Sequence, residues 1–137
     1  VYGPRQRPDL VLHKFTRLLE RGEEVPVLGD GSAARDYTYI ADILAGILAA
    51  IEYAGSRFEI VNLGSNHPVS LNELLTLLEA KLGRAARRHQ LPPSSADMRQ
   101  TWANIEKAQR LLGYQPQTAL GDGVEEFLRW YRRQAAR

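Results

Sequence analysis

Apolar residues along the chain repeat at two spacings, and the alternation between them lays out the elements. Val11, Phe15, Leu18 and Leu19 follow Pro8-Asp9 at helical spacing and Gly22 supplies a stop, which predicts a helix over residues 9–21. Glu24 to Leu28 reads as a short strand that Pro26 confines to an edge or a strand start, and the turn Gly29-Asp30-Gly31-Ser32 follows. Arg35 to Tyr39 is rich in strand formers. Ile40, Ile43, Leu44, Ile47, Leu48 and Ile51 then draw one stripe along a second helix, the cleanest amphipathic signal in the chain. Phe58 to Leu63 is apolar enough for a buried strand, ended by Gly64. Ser70 and Glu73 spell a capping box for a third helix with Leu71, Leu74, Leu75, Leu78 and Leu82 on its buried face and Gly83 at its end. Arg87 to Leu91 reads as a strand and Pro92 to Ser95 as a loop. Asn104 caps a short helix that Gly113 ends. A last helix carries Leu120, Val124, Phe127, Leu128 and Tyr131, its first turn weakened by Gly121 and Gly123 at about 1 kcal/mol each. The order predicts one α/β unit, short strands packed with five helices, without an internal repeat or linker.

Composition narrows the class. A chain of 137 residues can bury a real core, and 44% hydrophobic with 25% charged residues is ordinary for a globular domain. No run approaches the roughly 18 apolar residues of a membrane span, and Val1 to Arg5 does not read as a signal or transit peptide, so the expected location is cytoplasmic, with no membrane partner. The absence of cysteine removes thiolate chemistry. His13, His67 and His89 lack ligand spacing, so no metal site is expected. The formal charge of +2 hides a bias: Lys14, Lys81 and Lys107 are the only lysines among 18 basic residues. Arginine's planar fork suits phosphate and carboxylate, although a solvated arginine-rich surface reads the same way.

Gly29, Gly31 and Ala34 spell G-x-G-x-x-A after a strand, the lettering of a dinucleotide loop. Such a loop must open a helix so that pyrophosphate meets unpaired N–H groups, whereas Arg35 to Tyr39 favours extended chain, so we read a glycine turn between strands. There is no nucleophile elbow, no Walker loop and no H-E-x-x-H, and no tyrosine has a lysine four residues on, so no catalytic residue is assigned. The cluster Arg84, Arg87, Arg88 and His89 raises a non-catalytic nucleic-acid-binding or interaction module as an alternative. It has no interleaved aromatics, and 16 acidic residues nearly balance the charge, so no nucleic-acid partner is expected.

Several motifs stand in order: Val1 to Asp9 (V-Y-G-P-R-Q-R-P-D), Val25 to Gly31 leading into Arg35-Asp36-Tyr37-Thr38-Tyr39, Val61-Asn62-Leu63-Gly64, Ser70 to Leu74, and Thr101-Trp102-Ala103-Asn104 with Leu112 to Pro116. Together they resemble the extended short-chain dehydrogenase/reductase family, specifically its sugar-nucleotide 4-epimerases and 4,6-dehydratases, and the opening segment is most similar to the UDP-glucuronate 4-epimerase branch. The resemblance implies that residues 1–137 are the C-terminal, sugar-nucleotide-binding part of a Rossmann-type parent. The N-terminal half, with NAD and a Tyr-x-x-x-Lys pair, would lie upstream of Tyr2. The complete enzyme would use NAD and act as a homodimer on a nucleotide sugar. This part alone would be inactive, would hold no NAD, and would tend to self-associate through uncovered apolar faces. A 4,6-dehydratase or reductase is the alternative within the family.

Residue by residue, the resemblance places Arg35 on the nucleotide diphosphate, Asp97 on the ribose hydroxyls, Asn62 at the ligand end of its strand, and Pro26 and Leu28 against the base. Arg7 falls where the uronate-epimerising branch contacts the sugar carboxylate, and Lys14 adds positive charge from the following helix. Leu28 stands where relatives usually carry an aromatic ring, Ser94 where some carry an arginine, and Asn104 and Ala41 where aspartates are usual. The residues by themselves also allow Arg35 to pair with Asp36, Asn62 to make a turn or cap, and Asp97, Arg7 and Lys14 to be solvated.

Overall fold

A computed structural model describes residues 1–94 and 98–135. Ten elements follow one another: α1 (Val11–Arg21), β1 (Glu24–Leu28), β2 (Ala34–Asp36), α2 (Ile40–Glu52), β3 (Pro68–Ser70), α3 (Leu71–Leu82), β4 (Arg87–Leu91), β5 (Gln100–Thr101), α4 (Glu106–Leu112) and α5 (Leu120–Ala135). This is the α/β architecture with five helices and short strands that the sequence implied.

The helix ends follow from local chemistry. Gly22 takes a left-handed conformation and its N–H bonds back to the carbonyls of Leu18 and Leu19, ending α1. At α3 the Ser70 hydroxyl accepts the Glu73 N–H at 3.1 Å while the Glu73 carboxylate accepts the Ser70 N–H at 2.8 Å, so the capping box closes in both directions. Gly83 and Gly113 end α3 and α4 in the same left-handed conformation as Gly22.

Two small sheets result. Among the described residues β1 pairs only with β4, in parallel, which leaves it the open edge that tolerates a mid-strand Pro26. β2 is the centre of the other, antiparallel to β3 and parallel to β5. Val25 and Val27 turn inward from β1 and meet Leu12, Phe15 and Leu19 of α1, Leu74, Leu75 and Leu78 of α3, and Val124, Phe127 and Leu128 of α5. A second, smaller cluster joins Ile105, Ala108 and Tyr114 to Val61, Leu63 and Ala103.

Three expectations are corrected. Strand β2 covers only Ala34–Asp36, because residues 37–39 leave the ladder to make a single parallel bridge, Tyr2 to Tyr39. Residues 58–63 are not a strand; Phe58 is 77% and Ile60 70% exposed. An apolar run becomes a strand only when another edge takes its N–H and C=O groups, and among the described residues none does. The stripe of α2 is largely uncovered for the same reason, with Leu48 61% and Ile51 75% exposed, and the buried positions of that helix are Asp42 and Gly46. β3 and β5, of three and two residues, were not anticipated. No helix among the described residues is long and apolar enough to cross a membrane.

Candidate functional site

The Gly29–Ala34 segment positions everything on this face. Gly29 and Gly31 both take positive φ, 57° and 75°, and the Gly31 N–H reaches the Leu28 carbonyl at 3.2 Å, so the chain reverses tightly out of β1. Asp30 pins the bend by accepting the Ser32 N–H and hydroxyl at 2.9 and 2.6 Å, and those two bonds hold its carboxyl below the usual range. The turn joins two strands and opens no helix. Its lettering therefore makes no dinucleotide cradle.

Two clefts lie along the β2–β5 ladder. The larger, about 1090 Å³, is walled by Leu28, Gly29, Leu91, Pro92 and Pro93, with Arg99 at its side. The smaller, about 540 Å³, is lined by Arg35, Thr38, Asn62, Thr101 and Trp102. The paired residues Ala34 and Gln100 line the first and the next pair, Arg35 and Thr101, lines the second, so the clefts adjoin across one rung of the ladder. One Nη1–H of Arg35 is donated to the Ala34 carbonyl at 2.7 Å, which keeps the guanidinium close to the strand.

The far wall of the smaller cleft is irregular chain, and Asp36 holds it. Its carboxylate accepts from the Thr38 hydroxyl, from the N–H and hydroxyl of Ser65, and from the N–H groups of Asn66 and Ala103. Partial burial pushes the Asp36 carboxyl up, but these hydrogen bonds outweigh it and leave the group below the usual carboxylate range. Behind the wall the buried Tyr114 donates its hydroxyl to the Gly64 carbonyl at 3.0 Å.

The structure thus brings Arg35 and Asn62 together and puts Leu28 in the adjoining cleft. Asn62 donates weakly to the Asn104 carbonyl at 3.4 Å. Pro26 is half-buried in β1 opposite His89, outside both linings. Arg7 is exposed and pairs with Asp9 at 3.2 Å, and Lys14 is half-buried on α1; neither lines these clefts. Asp97 lies outside the described residues. Of the basic cluster, Arg87 pairs with Glu24 and Arg88 with Glu79, both at 3.4 Å, while Arg84 donates to the Glu20 carbonyl. Asp36, Thr101 and Trp102 stand in the quoted motifs, but the sequence reading assigns them no place in the site. Asp36 is adjacent to Arg35 in the chain, but four of its five bonds come from 29 to 67 residues away and leave no local signal.

Residues 1–64 match the NAD-dependent epimerase/dehydratase family. A UDP-glucuronate 4-epimerase of Thermodesulfobacterium geofontis is 37% identical over 131 residues, covering 95% of this chain and 40% of that protein. The chain is thus similar to this epimerase/dehydratase family along nearly its whole length. Among solved members, the UDP-glucuronic acid 4-epimerase of Bacillus cereus, in complex with UDP-glucuronic acid and NAD, superposes with a TM-score of 0.89 at 34% identity, over 97% of this chain and 43% of that one. The UDP-glucose 4-epimerase of Thermotoga maritima, with UDP-glucose, gives a TM-score of 0.90 at 33% identity, over 98% of this chain and 44% of that one. The chain therefore spans about 40% of the length of the curated relatives it matches.

Proposed function

We propose that residues 1–137 are the sugar-nucleotide-binding part of an NAD-dependent nucleotide-sugar 4-epimerase acting on a UDP-uronate or UDP-hexose. NAD and the proton-transferring groups belong, on this reading, to an N-terminal Rossmann part outside these residues, and this part alone is inactive. What supports it most is the rung of the β2–β5 ladder that joins a cleft partly walled by Leu28, Leu91, Pro92 and Pro93 to a guanidinium. A flat base fits between Leu28 and Pro92–Pro93, a diphosphate then reaches Arg35, and a sugar extends towards Asn62. Asp97 takes the ribose hydroxyls. Arg7 and Lys14, outside both clefts, are assigned to the sugar's carboxylate end only in the complete enzyme. The surface pairing of Arg87 and Arg88 with acids favours this reading over a nucleic-acid-binding module.

Calorimetric or NMR titration of the chain with UDP-glucuronate tests the proposal. Arg35→Ala is expected to weaken binding about tenfold or more, the loss of one charge-assisted contact. Undetectable binding of UDP-glucuronate by the unmodified chain, or an unchanged affinity in the variant, overturns it. In a complete parent enzyme, an epimerised product separates the 4-epimerase from the 4,6-dehydratase, which releases a 4-keto sugar.

A further inference from the structure

We infer that Asp36 is a positioning residue of the smaller cleft, setting the distance of the Asn62 wall and of Trp102 from Arg35. The inference rests on the reading of that cleft as the sugar-diphosphate site. Oδ1 accepts the Thr38 hydroxyl at 3.1 Å and the N–H and hydroxyl of Ser65 at 2.9 and 2.5 Å; Oδ2 accepts the N–H groups of Asn66 and Ala103, both at 3.1 Å. Thr38 and Ala103, which line the cleft, and Ser65–Asn66, which directly follow its lining residues 61–64, thereby converge on one side chain. The junction is close-packed: a Cβ built on Gly64 would fall 2.7 Å from Asp36 Oδ2 and 2.5 Å from the Cβ of Ala103, so nothing larger than glycine fits between the acid and the wall.

The chemistry asks for a carboxylate. Five donors aim at two oxygens, and an ionised carboxylate accepts on both without carrying a donor of its own. An asparagine amide in either orientation turns its NH₂ towards a backbone N–H, that of Ser65 on one side or those of Asn66 and Ala103 on the other. The wall is then released at one end or the other. Asp36 lines the cleft, but both its carboxylate oxygens are engaged by the wall, so it acts through Asn62 and Trp102.

Uridine and UDP-glucuronate, titrated separately by NMR into the 137-residue chain and its variants, read this role. Asp36→Asn is expected to leave uridine affinity, set in the larger cleft, within about twofold, and to weaken UDP-glucuronate about tenfold. Ser65→Ala, which removes one donor and keeps the fold, is expected to shift the same ratio in the same direction by a smaller factor, and it carries the test if Asp36→Asn does not fold. Failure of the unmodified chain to bind UDP-glucuronate would sink the functional reading instead. Normal binding of UDP-glucuronate by both variants, or an equal loss for both ligands, overturns the positioning role.

Discussion

The hydroxyl of Tyr2 lies over the Cα of Gly123, near the start of α5, and donates to the Leu120 carbonyl at 3.3 Å. A Cβ built on Gly123 would come 2.1 Å from that oxygen, so the ring occupies the space a side chain would need. Helix propensity alone favours alanine at Gly121 and Gly123 by about 1 kcal/mol, yet the two positions are expected to respond with opposite signs. Gly121→Ala, with nothing within 4 Å, should raise stability by about 0.5–1 kcal/mol, and Gly123→Ala should lower it by about 1–3 kcal/mol as Tyr2 is displaced. Urea denaturation of the pair measures both; equal shifts would remove the Tyr2 contact from the account.

His13 stands edge-on to Phe127 and Tyr131, at ring separations of 5.8 and 5.2 Å, with Trp130 beside it, and none of the described residues takes its Nδ1. Burial, with a smaller push from Arg17, lowers its pKa below the ordinary 6.5. The unfolded chain therefore takes up a proton at a higher pH than the native one, so stability rises with pH between the two values. The contribution is complete above about 6.5 and is lost as pH falls from there through the lowered native value. Melting temperatures from pH 8 to pH 5.5 should decline, and the decline should be shallower in His13→Leu. Parallel curves for the two proteins would assign the slope to other groups.

On the open face of α2, Leu44, Leu48 and Ile51 are half or more exposed, and Phe58 and Ile60 beyond it are largely exposed as well, the kind of uncovered apolar surface that marks an interaction site. The isolated chain is expected to pair with a second copy there. Light scattering should report twice the 15.4 kDa chain mass at high concentration, and Leu48→Lys should return the monomer. A monodisperse unmodified monomer would contradict this.

Where the sequence could be read, the determining interactions are local. The capping box of Ser70 and Glu73, the left-handed stops at Gly22, Gly83 and Gly113 and the leucine face of α3 are each written within one or two helical turns. The misreadings share a cause: apolar pattern reports what a segment must cover, and Phe58, Ile60 and the outer face of α2 carry the pattern without a cover among the described residues. β3 and β5 exist only because β2 offers them edges, which no three-residue window announces. Arg35, Asn62 and Leu28 were reached through family motifs, and the carboxylate beside Arg35 escaped because its partners are remote in the chain.

That remoteness has a bearing on how this surface tolerates change. Stretches separated by dozens of residues answer to a single acid, so they open and close as one piece. A substitution that loosens Ser65 or Ala103 will be felt at Asn62 without touching it, and sequence drift in any one of these stretches is constrained by the other two.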